Sequence, residues 1–195
     1  MGLIVRRPPR LLVASAAVLL GLAAWQIGGG IAIYLKAQLA QVLLSRAWAA
    51  TLEGAERQRP WPWADTWPVA RLTVPELGID EIVLAGDSGR TLAFGPGHLN
   101  GTPLPGSHGH SILGGHRDTH FAFLEGLQPG MKIAVQRRDG VWQDYLVSGS
   151  EIMDYRRARL APSDGRTVLS LVTCYPFDAV RPGGPLRYVV AAEAP

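Results

Sequence analysis

The side chains best suited to covalent chemistry are one cysteine and a group of histidines. Cys174 is the only cysteine of the 195-residue chain, and all five histidines lie within 23 positions, from His98 to His120. A cysteine becomes an activated nucleophile when a histidine lies beside it in the folded chain, however distant in sequence. His116 ends the apolar run 111–115, and Cys174 ends the apolar run 167–173. Both are therefore predicted at strand ends, where a rigid scaffold holds reactive side chains within reach of a substrate.

Two other interpretations of these residues stay open. A free cysteine often packs as a small apolar side chain. The pairs His108-x-His110 and His116-x3-His120, together with Cys174, could instead supply zinc ligands. Neither a pair of cysteines nor an HExxH motif accompanies them, however, so we predict no metal and no other cofactor.

An arginine is predicted to lie opposite the cysteine. If strand 167–173 turns back through loop 175–186 into a strand that starts at Arg187, the loop ends meet and Arg187 faces Cys174. A fixed guanidinium there could donate hydrogen bonds to the oxyanion formed when the thiol attacks a carbonyl. Arg181 lies in the middle of the same loop and is less constrained, so we favour Arg187 for this role.

Seven short runs rich in β-branched and apolar residues must position these side chains. Separated by Gly, Pro and Asp, they are 69–74, 79–84, 111–114, 132–136, 141–147, 167–172 and 187–191. The pair Asp139-Gly140 lies between two of them, as hairpin turns prefer. We predict a mainly β fold, a closed barrel of about seven to eight strands with short helices, because closure removes exposed strand edges.

A long uncharged stretch precedes the strands. No charged residue lies between Arg10 and Lys36. As a helix, residues 11–35 would extend roughly 37 Å, enough to cross a hydrocarbon core of roughly 30 Å. The stretch is also longer than the apolar region of a cleaved signal peptide. Three arginines precede the stretch, and fewer basic residues follow it closely. We therefore predict a single-pass protein of the cell (inner) membrane, with its N-terminus in the cytoplasm and the rest outside.

The composition divides the chain into five predicted segments. They are a cytoplasmic basic tail (1–10), a transmembrane helix (11–35), a helical stalk (36–58), a Pro/Trp linker (59–68) and a catalytic domain (69–195). The linker holds three prolines and three tryptophans, which exclude a regular helix. We expect the tryptophans to pack against the domain rather than to lie at the membrane interface. The small net charge of +3 indicates no nucleic-acid partner.

Two motifs resemble those of the sortase family. Residues 170–174 (SLVTC) are similar to its active-site strand, T-L-x-T-C, and residues 113–119 (LGGHRDT) are similar to its G-H-R-D-T segment. Residues 72–79, 95–106 and 186–190 resemble the first strand, the glycine-rich approach and the arginine-bearing last strand.

Some positions depart from the family pattern, and others point to one branch of it. Ser170 replaces a threonine, and His110 stands where the family often has asparagine. His98 matches a glycine-rich segment outside the catalytic position, so we interpret it as structural. The YPF that follows Cys174 resembles class D, and the short form with PWPW before the domain resembles sortases of Gram-negative, often marine, proteobacteria.

The resemblance implies a cysteine transpeptidase. Cys174 would attack an LPxTG-like sorting signal to give a thioacyl enzyme, His116 would act as acid and base, and Arg187 would stabilise the oxyanion. The partners would be membrane-bound precursor proteins with a C-terminal sorting signal, and an amine acceptor that the sequence does not identify. Some sortases bind calcium, but no acidic loop here favours it. Two other functions stay open: an extracytoplasmic thiol protease that uses the same Cys-His pair, and a non-catalytic membrane-anchored barrel that binds a partner.

Overall fold

The computed structural model describes residues 10–157, 165–181 and 183–195. One long helix, α1 (Arg10–Leu52), is followed by a short helix, α2 (Gly89–Leu92), and by two 3-10 turns, Pro75–Leu77 and Ala122–Gly126. The strands are β1 (Pro68–Val74), β2 (Ile79–Ala85), β3 (Gly97–His98), β4 (Gly109–Gly114), β5 (Lys132–Gln136), β6 (Trp142–Asp154), β7 (Thr167–Cys174) and β8 (Leu186–Glu193).

The eight strands close into a barrel in the order β1-β2-β3-β4-β7-β8-β6-β5. The β2–β3 and β4–β7 pairs are parallel, and the other neighbours are antiparallel. The hairpin predicted at Asp139-Gly140 joins β5 to β6, and Gly140 adopts the left-handed φ of 83° that such a turn requires. The mainly β, closed-barrel prediction is confirmed.

The barrel interior holds the core, and strand alternation decides which side chains enter it. Along β7, Leu169, Leu171 and Thr173 are buried in the interior, so Ser170, Val172 and Cys174 project from the outer face. The core also contains Phe121 and Leu124, from the segment that follows β4. Cys174 is half-buried at the end of its strand. Its side chain therefore lies outside the packed interior.

Helix α1 is long and apolar enough to include a membrane span. Its candidate stretch is Val13–Leu52, which contains an 18-residue window with a mean hydropathy of 1.8. The helix has 43 residues, which corresponds to roughly 65 Å, about twice the thickness of a hydrocarbon core. The predicted span, residues 11–35, would occupy only the first part of this helix.

The chain divides into two compact units, the first up to Ala40 and the second Gln41–Pro195. The second unit includes the end of α1, where Leu44 and Trp48 are buried. The Trp48 indole donates a hydrogen bond to the Gln136 side chain (3.3 Å), and the Gln41 amide donates one to the carbonyl of Phe94 (2.9 Å). Residues assigned by sequence to the stalk therefore pack with the barrel.

The three linker tryptophans have different surroundings in this unit. Trp61 packs edge-to-face on Phe94, with ring centroids 4.9 Å apart. Trp67 packs against the barrel core and carries the Arg57 guanidinium 5.2 Å above its ring. Trp63 is 83 % exposed. Two of the three thus lie against the domain, as favoured from the sequence.

We expect a fragment of residues 41–195 to unfold at a higher temperature than a fragment of residues 69–195. The shorter fragment lacks Leu44 and Trp48, and burial of each such side chain contributes roughly 1.5–3 kcal/mol. Thermal unfolding followed by circular dichroism measures the difference. Within the longer fragment, Leu44→Ala should lower Tm much more than Leu52→Ala, because Leu52 is 37 % exposed. Equal Tm values for the two fragments would support a domain that begins at residue 69.

Candidate active site

The parallel pairing of β4 with β7 brings His116 and Cys174 together. Gly114 is in register with Val172, and the Gly115 amide donates a hydrogen bond to the Val172 carbonyl (3.1 Å). The Thr173 hydroxyl donates one to the Gly115 carbonyl (2.7 Å). His116 and Cys174 each lie two residues beyond the Gly114–Val172 pair, and both line the same groove.

Arg187 approaches the cysteine from the opposite flank. The β7–β8 hairpin pairs Cys174 with Arg187 as the last partners of its antiparallel register. Because opposed residues of neighbouring strands project to the same face, both side chains lie on the outside of the barrel. The order across the sheet is thus His116, Cys174 and Arg187. The sequence analysis expected Arg187 to face Cys174 because the loop between them must bring its two ends together.

These three side chains line one groove of about 610 Å³. Apolar side chains form much of its wall, contributed by Leu92, Leu99, Ile112, Val172 and Met153. A groove of this size and composition accommodates a short peptide or a comparable ligand. The thiol, the imidazole and the guanidinium therefore open onto a single binding surface.

Arg187 is held in place by its neighbours. Its guanidinium carbon lies 4.5 Å from the centroid of the Tyr155 ring, and one terminal nitrogen donates to the carbonyls of Gly184 and Leu186, at 2.8 Å each. Tyr155 also lines the groove and donates its backbone N–H to the Pro185 carbonyl (3.2 Å).

A charged pair flanks Tyr155 at the end of β6. The side chain of Arg156, followed by its backbone N–H, donates hydrogen bonds to Asp154 and lowers the pKa of that carboxyl from 3.8 to about 2. Hydrogen bonds to the charged form of an acid lower its pKa in this way. Asp154 therefore stays ionised throughout the physiological range.

Arg181, the alternative candidate, lies elsewhere in the same loop. It is exposed, and it is not among the described residues that line the groove. Of the two arginines weighed from the sequence, the described structure brings only Arg187 to the cysteine.

Arg117 was missed as a contributor to the site. Its side chain is only 8 % exposed, and its guanidinium donates hydrogen bonds to the carbonyls of Pro176 (2.6 Å) and Ala179 and to the Asp118 carboxylate (3.2 Å). Arg117 therefore links the segment after His116 to the loop that follows Cys174. In an extended chain the residue after His116 points to the opposite face, but nothing in the sequence identifies the loop carbonyls as the partners of Arg117.

Three aromatic rings anchor the start of that loop. Tyr175 stacks on Tyr188 with centroids 6.2 Å apart, and Phe177 packs edge-on against Tyr188 at 5.2 Å. The Tyr188 hydroxyl donates a hydrogen bond to the Ser150 hydroxyl (2.8 Å). Aromatic packing and the Arg117 guanidinium thus fix the backbone on the C-terminal side of Cys174.

The other histidines lie in contacts of their own. His98 is buried against the Thr102 hydroxyl and the Pro103 carbonyl, at 3.0 and 2.9 Å, as its structural interpretation anticipated. His110 bonds to the Ser170 hydroxyl (2.8 Å), His120 to Glu81 (3.0 Å) and His108 to Thr167 (3.4 Å). Within residues 10–157, 165–181 and 183–195, no group of three or more His, Cys, Asp or Glu side chains is arranged to hold a metal ion.

Together, the fold and the groove define a class of protein. A closed β-barrel carries a cysteine, a histidine and an arginine at neighbouring strand ends, which is the set needed for nucleophilic attack on a carbonyl, proton transfer and oxyanion stabilisation. Residues 72–194 match the family model of the sortase domain. The chain belongs to the sortase family, a family of cysteine transpeptidases.

Solved structures show the same fold. The chain is similar to sortase C1 from Streptococcus agalactiae, with 27 % identity, a TM-score of 0.58, and coverage of 65 % of this chain and 67 % of that one. It is also similar to the Clostridium perfringens sortase D5 transpeptidase (20 %, TM-score 0.59, coverage 77 % and 88 %). A third is the Clostridium perfringens sortase C with the C-terminal cell wall sorting motif (22 %, TM-score 0.60, coverage 82 % and 89 %). Comparison with curated proteins finds no match.

Proposed function

We propose that the protein cleaves an LPxTG-like sorting signal in membrane-bound precursor proteins and transfers the product to an amine acceptor. The observation that carries this proposal is the convergence of His116, Cys174 and Arg187 on one groove. The sorting motif in the Clostridium perfringens structure supports the substrate class. The class D-like branch, with its resemblance to sortases of Gram-negative proteobacteria, is part of the same proposal.

In the first half of the reaction, the Cys174 sulfur attacks the carbonyl carbon that follows threonine in the signal. Arg187, on the far flank of the cysteine, donates a hydrogen bond to the oxygen as it gains negative charge. The carbon–nitrogen bond then breaks, and His116 gives a proton to the departing amine. A thioester between Cys174 and the precursor is left in the groove.

In the second half, a primary amine enters and His116 takes a proton from it. The amine nitrogen attacks the thioester carbonyl, Arg187 again holds the oxyanion, and the Cys174 thiolate departs. An amide bond replaces the one that was cleaved, so the reaction needs no external energy source. Water can take the place of the amine, and the product is then a free acid.

The proposal places the protein in the cell (inner) membrane by a span of residues 11–35 within α1. The three arginines before this span favour a cytoplasmic N-terminus, and the barrel then lies outside the cytoplasm. Precursors held by their own C-terminal apolar segment would meet the enzyme in the same membrane plane.

The partition between amine and water tests the proposed chemistry. With an LPxTG-like peptide and rising concentrations of a primary amine, we expect the ligated product to increase at the expense of the hydrolysed one. A groove that accepts amines and excludes water favours transfer. Mass spectrometry of both products measures the ratio. Free acid alone, at high concentrations of several different amines, would contradict transfer and favour a thiol protease.

A further inference from the structure

One carboxylate lines the groove on the side of His116. Asp87 is exposed, and among the described residues around the groove it is the one with an acidic side chain. None of the ion pairs formed within the described part of the chain involves it. The catalytic steps proposed above do not use this charge.

The strand register fixes where Asp87 lies. A Cβ atom on Gly97 would come within 3.2 Å of the Asp87 Cα, so the Asp87 backbone covers Gly97. Gly97 is in register with Gly114, and Gly114 with Val172. Asp87 therefore lies above β3, roughly 10 Å or two strand spacings from β7, on the flank opposite Arg187.

An open channel separates Asp87 from the histidine. A Cβ atom added at Gly114 would meet no other atom within 4 Å. Gly114 lies two residues before His116, on the strand between β3 and β7. A ligand can therefore pass from Asp87, over the bare backbone of Gly114, to the His116 and Cys174 side chains.

We propose that Asp87 and the channel over Gly114 form the subsite for the acceptor, and that the acceptor is a cationic amine. The inference rests on the proposed transpeptidation. His116 deprotonates the incoming amine, so the acceptor must approach on the His116 flank, where Asp87 lies. A carboxylate there attracts ammonium groups and holds a second positive charge of the acceptor, while Arg187 on the other flank repels them.

The test is a competition between two acceptors of similar length. Cadaverine is pentylamine with a second ammonium group on its terminal carbon. Both react with the same acyl enzyme in one tube, so their product ratio cancels differences in acylation rate and in the folded fraction. We expect wild-type protein to prefer cadaverine and Asp87→Asn to lower the cadaverine-to-pentylamine ratio about threefold to fivefold, as for an exposed ion pair. Added salt should also lower the wild-type ratio, because it screens the attraction between Asp87 and the second ammonium group.

Two further variants complete the test. Asp65→Asn removes the same charge outside the groove lining and should keep the wild-type ratio. Gly114→Val fills the channel and should shift products from ligation towards hydrolysis. An unchanged ratio in Asp87→Asn, or an equal fall in Asp65→Asn, would overturn the acceptor subsite. Absence of ligated product from wild-type protein would instead refute the proposed transpeptidation itself.

Discussion

We expect Cys174→Ala to abolish both the ligated and the hydrolysed products from an LPxTG-like peptide. Removal of the nucleophile of a comparable covalent enzyme lowers kcat by about 10⁶, which is below detection here. The fold should persist, because Cys174 is half-buried at the end of β7 on the outer face of the barrel. Product analysis by mass spectrometry and thermal unfolding of the same samples measure the two effects.

The single cysteine supplies an internal control for this prediction. One thiol per chain means that any alkylation of wild-type protein is alkylation of Cys174. Labelling should abolish activity in proportion to its extent, and the substrate peptide should slow it. Full activity in Cys174→Ala, or in completely alkylated protein, would exclude a thioester mechanism and support the non-catalytic barrel.

Arg187→Ala should lower kcat/KM for the peptide by about 10²–10³, as loss of an oxyanion donor typically does. Arg187 pairs with Cys174 across the β7–β8 hairpin, and Tyr155 with two loop carbonyls fixes its guanidinium. Arg187→Lys should recover little, since an ammonium group does not reproduce the planar guanidinium held by these contacts. Steady-state kinetics of peptide cleavage measure both losses.

Arg181→Ala is the matched control for Arg187→Ala. Arg181 lies in the loop that leads to the strand of Arg187, but it is exposed and is not among the described residues that line the groove. Its removal should change kcat/KM by less than about threefold, as for most exposed substitutions. Comparable losses in the two variants would mean that the connection as a whole, and not one guanidinium, supports the reaction.

The barrel could be predicted from the sequence because its strands alternate and its turns carry Gly, Pro and Asp. Two details escaped this pattern. Strand β3, Gly97–His98, has only two residues and so shows no alternation. Strand β6 continues to Asp154, beyond the predicted end at Val147, because a register shift between Val147 and Gly149 absorbs the SGS sequence that resembles a turn.

The site was predictable to the extent that it depends on the ends of paired strands. Cys174 and Arg187 had to meet once their loop closed, and the β7–β8 register has them opposite each other. The contacts of Arg117 and Tyr155 could not be predicted, since both depend on where the backbone of a distant loop lies. The burial of Leu44 and Trp48 was missed for a similar reason: a helical pattern does not specify its packing partner.

The parallel β4–β7 pair has a consequence for how the protein folds. Each pair of partners in it, from Gly109 with Thr167 to Gly114 with Val172, is 58 positions apart. Such long-range pairing forms slowly, because the entropy of closing the intervening chain must be lost before contacts compensate. Until it forms, the thiol and the imidazole have no fixed relation. On the proposed mechanism, the chain becomes reactive only as the barrel closes, and a nascent or partly folded molecule does not attack precursor proteins.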